Sequence, residues 1–95
     1  MHDAMAMYDA RMALLEIFTH EGCASEQSAR RVANEIQQEF PAWKISVQQL
    51  GNARAESLGV IAAPTFVLDG RIVAVGIPRT EWLVRTLREW IERVP

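Results

Sequence analysis

The sequence predicts an α/β domain built on one four-stranded mixed sheet with helices on both faces, in the order β-α-β-α-β-β-α. Three observations carry this. Two strand-like runs, residues 12–18 and 43–49, flank a stretch whose apolar residues recur at helical spacing, which makes a βαβ unit. Two further β-rich runs, residues 64–68 and 71–75, are separated only by Asp69-Gly70, a two-residue hairpin turn. A last amphipathic segment follows from Thr80. The βαβ unit should be right-handed and parallel, and the hairpin adds an antiparallel pair; the expected strand order is second-first-third-fourth, with the third strand antiparallel to the rest.

Each element has a local reason. Residues 12–18 (MALLEIF) form an apolar run with one charge in it, which suits a buried strand. Residues 19–22 are polar and end in Gly22, so they read as a loop. From Cys23, the residues Ala29, Val32, Ala33, Ile36 and Phe40 fall on one helix face, with Arg30, Arg31, Glu35, Gln38 and Glu39 between them. Pro41 ends that helix, since it lacks an N–H and pushes residue 40 away from helical angles. Trp43, Ile45 and Val47 alternate with Lys44, Ser46 and Gln48, as in a half-buried strand. Asn52 opens a short helix over residues 53–58, closed by Gly59. Thr80 is the expected cap of the last helix, with Leu83, Leu87, Trp90, Ile91 and Val94 as its apolar stripe and Trp82 packed at its edge.

Composition bounds the function. Ninety-five residues make one domain, read here as residues 1–95, with residues 1–11 a frayed or weakly helical extension. A net charge of −2 gives no electrostatic case for nucleic acid or an anionic membrane. No apolar run approaches the roughly 20 residues of a membrane span, and the first residues lack the pattern of a secretory signal. The chain has 1 cysteine and 2 histidines, so an internal disulfide and a Cys-rich metal site are both excluded by count. A lone thiol is most easily kept in a reducing cytosol, and the expected location is cytoplasmic.

The order of these motifs resembles the thioredoxin-like superfamily. Phe18-Thr19-His20-Glu21-Gly22-Cys23 looks like the end of the first core strand and the loop to that fold's reactive cysteine. Ala63-Pro64-Thr65-Phe66 resembles the segment that carries its cis-proline. Asp69-Gly70, Gly76 and the final helix complete a match over residues 12–94, closest in size to glutaredoxins and short microbial thioredoxin-like proteins. One departure stands out. Where the family has Cys-x-x-Cys, this chain reads Cys23-Ala24-Ser25-Glu26, and it does not read the Cys-Gly-Phe-Ser of cluster-binding monothiol glutaredoxins.

The resemblance implies a thiol site at Cys23. A sulfur at a helix N-terminus meets free N–H donors and the positive end of the helix dipole, both of which favour thiolate. Glu26 is the N3 residue after such a cap. It completes a capping box there, and its charge opposes thiolate. His20, three residues before Cys23, would favour thiolate if its ring faces the sulfur. Pro64 is expected to be cis and beside the thiol, with Ala63 and Thr65 flanking a substrate groove. The expected function is a cytosolic monothiol redox protein working through a mixed disulfide at Cys23, with a thiol-containing protein or glutathione as partner and no resident cofactor or metal. The alternative is a redox-inert binding module that holds an extended peptide beside Pro64.

Overall fold

A computed structural model describes residues 12–22 and 24–93, without the side chain of Arg93. Residues 1–11, Cys23, Val94 and Pro95 lie outside the described residues. The elements run β1 (Leu14–Thr19), α1 (Ala24–Glu39), β2 (Lys44–Gln49), α2 (Ala53–Leu58), β3 (Thr65–Leu68), β4 (Arg71–Val75) and α3 (Thr80–Arg93). The sheet order is β2-β1-β3-β4. β1 and β2 are parallel, while β3 is antiparallel to both β1 and β4. This is the architecture expected from the sequence.

Alternation along the strands sorts the core into two layers. Leu15, Ile17, Phe66 and Leu68 face one side, where α1 brings Ala29, Val32, Ala33 and Ile36 and α3 brings Leu83, Leu87 and Ile91. Phe18 and Val67 face the other side and meet Ala55 and Val60, with Leu50 and Leu58 packed against them. Phe18, Phe40 and Phe66 are each fully buried, and removing such a side chain from water stabilises the fold by about 1.5–3 kcal/mol. Phe40 stacks on Trp43 with ring centroids 3.9 Å apart. The Gln37 amide donates to the carbonyls of Phe40 (3.1 Å) and Trp43 (2.9 Å), which fixes the turn from α1 to β2.

The turn chemistry follows the residue types. Asn52 Oδ1 accepts from the Ala55 N–H at 2.7 Å, and Gly59 at φ 75° closes α2 in the left-handed region. Asp69 (φ 48°) and Gly70 (φ 85°) both have positive φ, as a type I′ hairpin requires. Asp69 also ties the hairpin to β1: its carboxylate accepts from Leu14 N–H at 2.9 Å, and its own N–H donates to the Leu14 carbonyl at 2.8 Å. Beyond the turn the ladder slips. Phe66 pairs with Ala74 but Val67 pairs with Ile72, so Val73 is an extra residue in β4.

Four expectations are corrected in detail. β1 begins at Leu14 rather than Met12 and runs through Thr19, because the Thr19 carbonyl still accepts a ladder-like bond from Leu50 N–H at 2.8 Å. β2 begins after Trp43, which is buried in the turn against Phe40. Thr80 is not the cap of α3: the first helical bond runs from Leu83 N–H to the Arg79 carbonyl, which puts Arg79 in the cap position. The Thr80 hydroxyl instead donates to the Glu35 carboxylate and links α3 to α1. Trp82 is not packed at the edge of the stripe; it is 42% exposed.

Candidate thiol site and its surroundings

Antiparallel pairing of β1 with β3 brings two loops to one end of the sheet. Phe18 pairs with Thr65, so the loop leaving β1 and the residues entering β3 lie side by side. His20, Glu21 and Gly22 form the first loop and are all exposed. Gly22 has φ 78°, a left-handed turn that only glycine adopts without strain, and it sends the chain back toward α1. Cys23 joins this loop to Ala24, the first residue of α1, and is itself outside the described residues.

On the second loop, the Ala63–Pro64 peptide is cis. Pro64 is buried, Ala63 half-buried and Thr65 buried. The Thr65 hydroxyl donates to the Ala62 carbonyl at 2.6 Å, so it is engaged in holding the loop. The Pro64 carbonyl accepts from the Gly76 N–H at 2.8 Å, which draws the end of β4 against the proline. The flanks are apolar and open: Ile61 is 91% exposed, Val75 63% and Ile77 41%. These three were not singled out as site residues in the sequence: Ile61 and Ile77 are isolated apolar residues in loops, and Val75 reads only as the end of its strand.

Glu26 sits in the first turn of α1 and is engaged on three sides. Its carboxylate accepts from the Gly22 N–H at 3.0 Å, from Arg30 at 3.3 Å and from the Gln49 amide at 3.5 Å. The Gly22 N–H, more than the Arg30 guanidinium, holds the carboxyl below its ordinary range. The carboxylate thus reaches back across the helix start as a capping residue does, and the described bond goes to Gly22, one position before the residue expected from the capping box.

Sequence reasoning missed a second polar cluster. Glu16, the one charge in the β1 run, is only 3% exposed. It lies on the opposite side of β1 from Leu15 and Ile17. Arg54 of α2 donates to it twice, from Nε at 2.9 Å and Nη2 at 3.1 Å, and the Gln48 amide donates at 2.9 Å. The Arg54 hydrogen bonds hold its carboxyl below the ordinary range despite burial, which acts the other way. A lone acid inside an apolar strand was the available signal, since such a group is buried only with a partner. Among the described residues, no group of three or more His, Cys, Asp or Glu could hold a metal ion, and no helix is long and apolar enough to cross a membrane.

This arrangement of one mixed sheet, a loop-to-helix segment and a neighbouring proline loop defines a thioredoxin-like fold. Comparison with known proteins agrees. No family model matches the chain. A thioredoxin from Methanocaldococcus jannaschii is 29% identical over 79 residues, covering 79% of this chain and 92% of that protein. Among solved structures, a mutant thioredoxin from Halobacterium salinarum NRC-1 superposes with a TM-score of 0.67 at 27% identity, over 87% of this chain and 78% of that one. A thioredoxin from Trypanosoma brucei brucei shares the fold, with a TM-score of 0.66 at 21% identity over 96% of this chain and 85% of the other. The chain has the thioredoxin-like fold and is similar in sequence to these archaeal thioredoxins.

Proposed function

We propose that this chain is a thiol-dependent redox protein that works through Cys23 alone. The observation that carries the reading is the sequence Cys23-Ala24-Ser25-Glu26 at the start of α1 in a thioredoxin-like fold whose chain holds 1 cysteine. The Cys23 thiolate attacks one sulfur of a partner's disulfide. The Cys23–S–S–partner bond forms, and the other partner sulfur leaves as thiolate. No second thiol in the chain can resolve this species. A thiolate from outside, that of glutathione or of a partner protein, attacks the mixed disulfide and returns Cys23 as thiolate. The substrate segment lies along Pro64, flanked by Ala63 and Thr65, with His20 in the loop before the thiol and the Glu26 carboxylate after it. The protein is placed in the cytoplasm on this reading, where a free thiol persists.

Two measurements test it. The rate of Cys23 alkylation against pH gives the thiol's pKa, and incubation with oxidised glutathione followed by mass measurement detects the mixed disulfide. A pKa well below ~8.5 and one glutathione adduct per chain are expected. The open apolar flank of Ile61, Val75 and Ile77 favours the second reading, a redox-inert module that binds an extended peptide beside Pro64. A free-thiol pKa without adduct formation selects that module and ends the redox reading.

A further inference from the structure

α2 is a helix of only 6 residues, too short to hold itself in water, and the one residue it buries is Ala55. Little apolar surface therefore pins it to the sheet. A charged pair does so instead. Arg54 reaches from α2 to Glu16 of β1 with two hydrogen bonds, from Nε at 2.9 Å and Nη2 at 3.1 Å. The same carboxylate accepts from the Gln48 amide at 2.9 Å, and the Gln48 side-chain oxygen accepts from Asn52 Nδ2 at 3.1 Å. Asn52 in turn caps α2 through the Ala55 N–H. Glu16 thus ties down the start of α2 by two routes. Burying a carboxylate costs its hydration, and apolar residues in place of such a pair often leave stability unchanged or higher. What the pair adds is geometry, since two N–H bonds from one guanidinium fix direction as well as distance.

The segment that α2 leads into gives that geometry a use. Gly59 turns the chain out of the helix, and Val60 is buried beside Phe18, Ala55 and Val67, with its N–H on the Ala55 carbonyl at 2.9 Å. Exposed Ile61 and Ala62 and half-buried Ala63 then lead to the cis Pro64. The far end of this segment is held by the sheet, through Thr65 on Ala62 and Gly76 on Pro64. Its near end is held only as firmly as α2 itself. We propose that Glu16 and Arg54 are positioning residues for the groove beside Pro64: the pair fixes α2, and α2 fixes residues 60–63 where they approach the proline. The pair acts through α2, from the face of the sheet opposite α1. This rests on reading that groove as the place where an extended segment binds, in either of the two forms given above.

The test is amide hydrogen exchange, followed residue by residue, in wild type, Arg54→Met, Glu16→Gln and the double variant. Arg54→Met should speed exchange at Val60 and Gly76 about tenfold, the size of one charge-assisted hydrogen bond. Lys44, on the Ala13 carbonyl, and Phe40, on the Ile36 carbonyl, should keep their wild-type rates. Glu16→Gln should raise the same two amides and, added to Arg54→Met, change them no further, because the pair acts as a unit. A second readout is the rate of mixed-disulfide formation with oxidised glutathione, set against alkylation by iodoacetamide, which needs no groove. The first should slow in Arg54→Met with the fraction of chains whose loop is out of place, and the second should not. Exchange that rises equally at all four amides, or at none, overturns the inference, as does an unchanged ratio of the two reaction rates. Should Arg54→Met not fold, Arg54→Lys keeps the charge, loses the two-pronged bond and carries the same comparison. A wild type that forms no glutathione adduct ends the redox reading, and the exchange pattern alone then decides for or against the pair.

Discussion

Replacing Glu16 by Gln is the sharpest probe of how this fold tolerates a charge inside a strand. The carboxylate accepts three N–H bonds: Oε2 takes Arg54 Nε and the Gln48 amide, both at 2.9 Å, and Oε1 takes Arg54 Nη2 at 3.1 Å. In Glu16→Gln the amide oxygen can keep the two bonds at the Oε2 position. The amide nitrogen then faces Arg54 Nη2, donor against donor. One charge-assisted bond is lost and the other two lose their anionic acceptor, a loss of several kcal/mol taken alone. Two effects offset it. The amide carries no charge to desolvate, and the half-exposed Arg54 side chain can turn its second N–H to water. The net expectation is a loss of about 1–2 kcal/mol at pH 7, or roughly 4–16 °C in Tm for a domain of this size. The pH dependence gives the reasoning its sign. Glu16 titrates below its ordinary value in the folded chain, so its ionised form contributes stability above the ordinary carboxylate range. That contribution is lost as pH falls through the folded value. Urea unfolding followed by tryptophan fluorescence, at steps from pH 7 down to about pH 3, should show the gap between wild type and Glu16→Gln closing with acid. A gap that stays constant over that range, or a Glu16→Gln variant as stable as wild type at pH 7, refutes the argument.

Further outcomes follow from the thiol site and the core. Glu26→Gln should lower the Cys23 pKa, since a nearby negative charge opposes thiolate, while the amide oxygen still accepts from Gly22 N–H; alkylation against pH measures it. Glu26→Cys should create a closable Cys-x-x-Cys and raise insulin reduction above a wild type that reduces insulin poorly, because residues three apart share a helix face. Leu87→Ala removes a fully buried side chain between α3 and the sheet and should cost about 2–5 kcal/mol in urea unfolding, with the fold retained by circular dichroism.

The strand and helix plan was legible because its signals are local. The Asp69-Gly70 pair, the alternation of residues 43–49 and the helical spacing from Ala29 to Phe40 each specify an element by themselves. The parallel pairing of β1 with β2 followed from handedness. The cap of α3 was not legible, because Arg79 and Thr80 are adjacent and the choice depends on how the chain leaves Pro78, where Thr80 finds Glu35 on another helix. Trp82 misled for a similar reason: helical spacing places it near the stripe, but the breadth of sheet available to cover it is a tertiary quantity. At the site, the run from His20 to Glu26 and the segment from Ala63 to Thr65 could be named from residue order. Glu16 could be seen as odd, but its partner Arg54 is 38 residues away in sequence and belongs to another element.

The extra residue in β4 bears on how this small sheet avoids growing at its edge. A four-stranded open sheet has two rims along which a foreign strand could zip, and regular rims invite that growth. At β4, Val73 throws the spacing of main-chain donors and acceptors out of step halfway along a five-residue strand. An incoming straight strand can match the ladder before Val73 or after it, and not both. Ile72 and Val75, exposed on either side of that offset, are therefore denied a continuous partner surface. Deleting Val73 would restore a uniform rim, and the result would be read as concentration-dependent association by light scattering.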